Sequence, residues 1–100
     1  MKLFTKELLQ TIPKLYATEH DADPMVYAKL FYPSFSWTWY VIEFDGQDVC
    51  FGYVDGDYLE SGYFSMHELL EARDGLGSPI ERDRGFRPCR LSELKARLQR

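Results

Sequence analysis

The chain has 100 residues, of which 45% are hydrophobic and 16% aromatic, and its formal net charge is −4. This length allows one domain with a single modest core, and the composition excludes an intrinsically disordered chain. No apolar run approaches the roughly 20 residues that span a bilayer, and the N-terminus has no signal-peptide pattern. The sequence therefore predicts a single domain, residues 1–100, in the cytoplasm.

The two cysteines, Cys50 and Cys89, do not form a Cys-x-x-Cys pair. Isolated cysteines of this kind are expected to be reduced thiols in the cytoplasm rather than parts of a disulfide framework. The chain also lacks a phosphate-binding loop, a dinucleotide-binding glycine motif and a nucleophile elbow. We therefore predict no structural zinc and no cofactor.

The first predicted element is a helix over Lys6–Thr11, because Thr5 is a good N-terminal cap. A polar loop, residues 17–24, separates this helix from a first strand over residues 25–32. Lys29 is the one charged residue of that strand. The strand is expected either to be buried on both faces or to use Lys29 as an edge marker.

The centre of the chain is a meander of three strands, predicted at residues 37–44, 49–54 and 59–64. Aromatic and β-branched residues fill the strands, and Asp-Gly turns separate them. The first loop has either two or four residues. The shorter loop places Glu43 opposite Asp48, a destabilising pair of like charges, so four residues are favoured.

Both loop lengths place the same side chains on the same face of the first hairpin. One face is predicted to carry Tyr40, Ile42 and Phe44 with Val49, Phe51 and Tyr53. The other is predicted to carry Trp37, Trp39 and Val41 with Cys50, Gly52 and Val54. We expect the helices to pack on the first of these two faces.

Two more helices are predicted after the meander. Ser65 and Glu68 match a capping box for the first, which the Gly-Leu-Gly segment 75–77 ends. Ser92 is a candidate cap for a last helix that continues through Gln99.

Residues 80–86, between these helices, are predicted to be a short strand or an ordered turn. The predicted fold class is therefore α+β. It has an antiparallel sheet of four to five strands around the meander 37–64, short helices at both termini and one helix after the meander.

Charge is distributed unevenly along the chain. Residues 1–81 carry five Lys or Arg and fourteen Asp or Glu, a net charge of −9. Residues 82–100 carry seven Lys or Arg against two acidic residues, a net charge of +5. Either a charged partner or internal neutralisation in the fold accounts for this asymmetry.

The acidic residues concentrate at two turns, roughly 20 Å apart at opposite ends of the strand 49–54. The two groups are Glu43, Asp45 and Asp48, and Asp55, Asp57 and Glu60. Acidic patches at this spacing can occupy phosphate-binding positions on a nucleic-acid-binding protein. The alternative is that aspartate favours turns and that charged tips keep a protein in solution.

The aromatic residues exceed what a core of this size needs. They are Trp37, Trp39, Tyr40, Phe51, Tyr53, Tyr58 and Tyr63. Any part that the helices leave uncovered is a binding surface, and the alternative is a core sealed on both sides. Aromatic rings beside basic residues also suit single-stranded nucleic acid. The basic residues in question are Arg82, Arg84, Arg87, Lys95 and Arg97.

The densest charged run is Glu81, Arg82 and Asp83. Carboxylates two positions apart on a strand face the same way, so this pair can hold Mg²⁺ or act as an acid and a base. The alternative is a structural ion-pair cluster. His67 and Glu68 match the start of the His-Glu-x-x-His zinc motif of metalloproteases. Glu71 occupies the position of the second histidine, so we predict no zinc site there.

Several blocks of the sequence, in order and over nearly the whole chain, resemble the bacterial domain-of-unknown-function family 2958. These blocks are Leu3-Phe-Thr-Lys-Glu-Leu8, Trp37-Thr-Trp-Tyr40, Phe51-Gly52, residues 59–65 with Glu68-Leu69, and residues 77–83 with Phe86. The resemblance implies a small stand-alone protein of plasmids and other mobile elements, and it carries over no catalytic residues. Some small proteins of such elements block restriction or CRISPR nucleases.

The leading hypothesis is a non-enzymatic binding protein that inhibits a host defence nuclease, of the anti-restriction or anti-CRISPR type. Its contacts would be the acidic turns, Trp37, Trp39 and the charged run 81–83. The second hypothesis is a nucleic-acid-binding module that uses residues 82–100. The third is a metal-assisted hydrolase centred on Glu81 and Asp83. None of these hypotheses involves a membrane.

Overall fold

The computed structural model describes residues 3–99 and is built on antiparallel strands. The strands are β1 (Met25–Val26), β2 (Ala28–Tyr32), β3 (Phe35–Phe44), β4 (Val49–Asp55), β5 (Leu59–Ser65), β6 (Glu81–Arg82) and β7 (Cys89–Arg90). Five of them form one sheet in the order β5-β4-β3-β2-β6, and β1 pairs with β7. The helices are α1 (Lys6–Thr11), α2 (Met66–Glu71) and α3 (Leu91–Leu98). The predicted α+β class and the central meander are confirmed.

The first two helices begin where the sequence predicts. The hydroxyl oxygen of Thr5 accepts the Leu8 N–H at 3.1 Å, and that of Ser65 accepts the Glu68 N–H at 3.2 Å. The predicted end of α2 at the glycines is wrong. The helix stops at Glu71 because the next residue, Ala72, is already in the extended region.

The predicted cap of α3 is also wrong. The helix begins at Leu91, so Ser92 lies inside its first turn. The Ser92 N–H and hydroxyl donate to the two carboxylate oxygens of Asp23 at 2.8 and 2.7 Å. A residue of the distant polar loop therefore caps this helix. Arg100, the last residue of the basic segment, lies outside the described residues.

The predicted strand over residues 25–32 is divided in the structure. Its first part, β1, leaves the main sheet to pair with β7, and its second part, β2, lies between β3 and β6. Lys29 therefore does not mark an edge, and its ammonium forms an ion pair with Asp83 at 3.8 Å. The segment 80–86 contains both the short strand β6 and a turn.

A β-bulge in β3 changes which side chains share a face. The loop to β4 has the four favoured residues, 45–48. Val41 pairs with Gly52 but Glu43 pairs with Phe51, so Ile42 is the extra residue. Strict alternation therefore fails beyond the bulge. Phe44 packs in the same cluster as Trp39, on the face opposite to the predicted one.

Helices cover both faces of the sheet, so the expectation that they pack on the Tyr40 face holds only for α3. On the Trp39 face, Met66 and Leu69 of α2 and side chains around α1 complete one core. On the Tyr40 face, Leu94 of α3 completes a smaller core. No helix within residues 3–99 is long and apolar enough to cross a membrane.

Candidate partner-binding surfaces

Glu43 is buried, although the sequence places it in an acidic surface cluster. Its side chain is 2% exposed. One carboxylate oxygen accepts the Tyr16 N–H at 2.8 Å. The other accepts the Thr18 N–H at 2.9 Å and the Thr18 hydroxyl. The bulge turns this carboxylate towards the loop after α1, so Glu43 supports that loop and offers no surface charge.

The other two acids of the first turn also bind their own surroundings. One Asp45 oxygen accepts the backbone N–H groups of residues 47, 48 and 49 at 2.7–3.1 Å. Asp48 accepts the Ser65 hydroxyl and the His67 N–H, both at 2.8 Å, and faces the His67 ring. These hydrogen bonds lower the pKa of both carboxyls. This turn is organised as a local structural unit.

The second acidic turn is different because it lies against an aromatic side chain. A Cβ added at Gly56 would lie 2.7 Å from the Trp37 indole, so the turn and the ring are in contact. Asp57 and Glu60 are exposed, and Tyr58 is 80% exposed. The structure thus brings part of the predicted acidic group together with one predicted tryptophan.

Four aromatic rings form a continuous row, called here the aromatic row: Tyr32, Trp39, Trp37 and Phe35. Neighbouring ring centroids are 5.7, 6.2 and 6.1 Å apart along it. Tyr32 and Trp39 are buried, whereas Phe35 is 51% exposed. The row therefore runs from the core to the surface and ends in a stacked pair that water reaches.

A mostly apolar groove of about 360 Å³ lies beside this row. Tyr32, Phe35 and Trp39 form one wall, and Leu69 with residues 72–75 forms the other. The loop that follows α2 is held in place by Asp74, whose carboxylate accepts N–H groups of residues 34, 76 and 78 at 2.8–3.0 Å. We call this feature the Phe35 groove. Its walls are fixed by the core and by hydrogen bonds.

A second cleft lies on the opposite face of the sheet. The aromatic residues of its lining are Tyr16, Phe51, Tyr53 and Tyr63, and it is called here the tyrosine cleft. It exists because Leu94 of α3 packs over Tyr40 and Ile42, whereas Phe51 and Tyr53 are only partly covered.

Arginines in the described part of the basic segment pair with acidic residues outside the two acidic turns. Arg90 lies 4.0 Å from Asp21, and Arg97 pairs with Glu93 within α3 at 3.7 Å. The Arg82 guanidinium donates to the Leu3 carbonyl oxygen at 2.9 Å. Arg84 and Arg87 are exposed, and the Lys95 ammonium lies over the ring of Tyr53 in the tyrosine cleft. Most of these contacts are unrelated to the acidic turns.

The two carboxylates of the charged run have different surroundings. Glu81 is exposed on β6. Asp83 accepts the Gly85 N–H at 2.9 Å and pairs with Lys29. Within residues 3–99, no group of three or more His, Cys, Asp or Glu residues is arranged to hold a metal ion. Cys50 and Cys89 are buried free thiols whose pKa burial raises.

Sequence reasoning missed two residues of these surfaces. Phe35 lies between the strands predicted at residues 25–32 and 37–44, where Pro33 and two serines indicate a turn, whereas β3 in fact begins at Phe35. Tyr16 precedes the polar loop and has a positive φ of 70° that no sequence pattern indicates. The available signal in both cases is an aromatic residue outside any predicted strand.

Together these features define a small α+β protein with helices on both sheet faces and an aromatic surface on each. The family model described as "Protein of unknown function (DUF2958)" matches residues 3–97. The chain belongs to this family, which confirms the resemblance that its motifs indicate. No curated protein and no solved structure matches the chain.

Proposed function

We propose that this protein is a non-enzymatic inhibitor, carried by a mobile element, that binds a host defence nuclease of the restriction or CRISPR type. The contact surface is the exposed end of the aromatic row, the Phe35 groove and the acidic turn at Asp55, Asp57 and Glu60. This function requires the protein to be in the cytoplasm, where such nucleases act.

The single observation that supports the proposal most is the exposed ring of Phe35, which stacks on Trp37 and lines an apolar groove. Protein interfaces concentrate their binding energy in aromatic residues that fill or border such pockets. A solvent-exposed pair of this kind costs hydration free energy unless a partner covers it.

The charge beside the groove supports the choice of partner. Asp57 and Glu60 are exposed in the turn whose Gly56 lies against the ring of Trp37. Nucleases carry basic surfaces that bind phosphates, and complementary charge speeds association and selects the partner. The resemblance to the family implies that the protein is carried on plasmids and other mobile elements, which are the context for such an inhibitor.

The test is a transformation assay in cells that carry a defined restriction or CRISPR system. Expression of the wild-type protein should raise the transformation efficiency of a targeted plasmid. Phe35→Ala should abolish this protection and weaken binding to the purified nuclease at least about tenfold. Leu9→Ala is the matched control. It removes another partly exposed apolar side chain, in α1 and outside the Phe35 groove, and should protect fully.

Two results would contradict the proposal. One is the absence of protection against every system tested, with the protein shown to be expressed and folded. The other is full protection by Phe35→Ala, which would separate the activity from the aromatic row.

A second function, binding of nucleic acid by residues 82–99, is favoured by the exposed Arg84 and Arg87. Arg87 lines a groove of about 570 Å³ together with Phe86 and Arg97, and Arg84 precedes this groove in the chain. Phosphate contacts make affinity fall steeply between about 50 and 200 mM salt. Fluorescence anisotropy with a labelled oligonucleotide should show this fall, and Arg87→Gln should weaken binding. Affinity that does not change over this range excludes phosphate contacts.

A further inference from the structure

The tyrosine cleft has a volume of about 490 Å³ and a concave aromatic wall. The Tyr63 ring stands between two others, with its centroid 5.0 Å from that of Phe51 and 6.4 Å from that of Tyr16. The interplanar angles are 54° and 56°, so the rings surround a space rather than stack against each other. Tyr16 is 61% and Tyr63 56% exposed, so the wall is open to a ligand.

The cleft is preformed because hydrogen bonds to the buried carboxylate of Glu43 hold the loop that forms one of its sides. Tyr16 comes from a loop, and its backbone N–H donates to the buried carboxylate of Glu43 at 2.8 Å. Thr18 donates to the same carboxylate through its N–H and its hydroxyl. The positive φ of Tyr16 is thereby maintained by the fold, and its ring stays beside that of Tyr63.

The charge of the cleft is predominantly negative. Glu19 and Asp21 line it at the surface and the buried carboxylate of Glu43 lies at its base, against the ammonium of Lys95. The Lys95 ammonium lies 5.1 Å from the centroid of the Tyr53 ring, at one end of the cleft. Asp21 is paired with Arg90, at 4.0 Å. The other end, at Tyr16 and Tyr63, combines uncovered rings with the exposed carboxylate of Glu19.

The surroundings of Tyr63 are consistent with this negative potential. The pKa of its phenol is raised, first by desolvation and then by the electrostatic effects of the Tyr16 phenol and of the Glu43 and Glu19 carboxylates. The carboxylates near the ring, not the desolvation, give the site its preference for a cation over phosphate. Aromatic ring faces bind cations, guanidinium groups in particular.

We propose that the Tyr16–Tyr63 end of the tyrosine cleft binds an arginine side chain of a partner polypeptide. The guanidinium lies against the rings of Tyr63 and Tyr16, and Glu19 at the rim supplies the opposite charge. Lys95 on Tyr53 is an intramolecular example of the same interaction. The site is on the sheet face opposite to the aromatic row, so it does not depend on the function proposed above.

The first test is an NMR titration of the isotope-labelled protein with an acetylated Gly-Arg-Gly amide. Saturable shifts are expected at Tyr16, Phe51 and Tyr63. The matched probe replaces arginine by citrulline, which has the same shape without the charge. It should bind at least about fivefold more weakly, as expected for a cation–π contact. Equal affinity of the two peptides, or no saturable shift at the cleft, overturns the proposal.

The second test uses variants whose side chains are exposed, so that folding is retained. Tyr63→Leu should bind the arginine peptide about fivefold or more weakly than the wild type. Tyr63→Phe should bind it like the wild type, because the ring face makes the contact. Glu19→Gln should also weaken binding. Tyr58→Leu, which changes an exposed tyrosine that does not line the cleft, is the control and should bind normally. Unchanged binding by Tyr63→Leu overturns the proposal.

A third test distinguishes arginine binding at the cleft from nucleic-acid binding there. An oligothymidylate is added in place of the peptide, under the same conditions. Shifts confined to the tyrosine cleft with the oligonucleotide, and none with the peptide, would show a nucleic-acid site and overturn the proposal. Peptide binding without oligonucleotide binding there supports it.

Discussion

At the scale of single residues, Glu43 shows how far local sequence and structure can diverge. The residue precedes an Asp-Gly turn among other acids, which is typical of an exposed charge. In the structure it is almost fully buried and accepts three hydrogen bonds from Tyr16 and Thr18. Burying a carboxylate is costly unless donors surround it, and here the loop supplies them. The sequence contains no local signal of these donors, because they are more than twenty residues away.

The prediction at this scale is that Glu43→Gln destabilises the protein by about 2–3 kcal/mol. The amide replaces one acceptor oxygen by a donor that faces existing donors, and it removes the charge that strengthens the other bonds. Urea unfolding monitored by tryptophan fluorescence measures the loss. The same substitution at the exposed Glu60 should change the unfolding free energy by less than about 0.5 kcal/mol. Equal losses of unfolding free energy at the two sites would show that the hydrogen bonds to Glu43 do not stabilise the fold.

At the scale of elements, the close approach of β3 and β4 depends on a glycine. Gly52 pairs with Val41 at the bulge, and a Cβ there would lie 1.8 Å from the Tyr40 carbonyl oxygen. On its other side Gly52 pairs with Gly62 of β5, where a Cβ would have no atom within 4 Å. Two paired glycines therefore have opposite tolerance to a side chain.

We predict that Gly52→Ala costs more than about 3 kcal/mol or prevents folding, because the clash is with backbone and no side chain can yield. Gly62→Ala should be neutral or slightly stabilising, because alanine loses less conformational entropy than glycine in a strand. Chemical denaturation of both variants measures the difference. A folded, stable Gly52→Ala protein would mean that the bulge relaxes.

The junction of the β3–β4 turn with α2 gives a prediction about pH. The pKa of Asp48 is lowered from its ordinary value of 3.8, first by the His67 N–H and then by the Ser65 hydroxyl. A carboxyl whose folded pKa lies below its unfolded pKa contributes stability that is present above the unfolded value. That stability is lost as the pH falls through the folded value.

Asp48→Asn should therefore be less stable than the wild type at about pH 6. The difference in stability between the two proteins should narrow as the pH drops below 3.8. Thermal unfolding at several pH values measures this. Asp57→Asn removes the same charge from an exposed turn position and should differ little from the wild type throughout. A constant difference between Asp48→Asn and the wild type at every pH would contradict the expectation.

At the scale of the whole molecule, the predictable parts of the fold are those specified by neighbouring residues. The Thr5 and Ser65 caps and the three meander strands depend on short-range propensity and hydrogen bonds, and the sequence predicts them. The Asp23 cap of α3, the β1–β7 pair and the β3 bulge depend on contacts between distant segments. The exposed end of the aromatic row was partly predictable, through Trp37. The tyrosine cleft was not, because its position depends on where α3 docks and on the Tyr16 loop.

The β1–β7 pair has a consequence for how the molecule folds. It joins Met25 to Arg90, whereas the hairpins of the meander join residues close in sequence. Closing the longer loop costs more chain entropy, so we expect the meander to form early and the two ends of the chain to dock afterwards. In pulsed hydrogen exchange during refolding, backbone amides of β4 should become protected before those of β1 and β7. The tyrosine cleft takes Tyr16 from one end of the chain and Lys95 from the other, so it exists only once folding is complete. A partner that binds there therefore distinguishes the folded protein from a nascent chain.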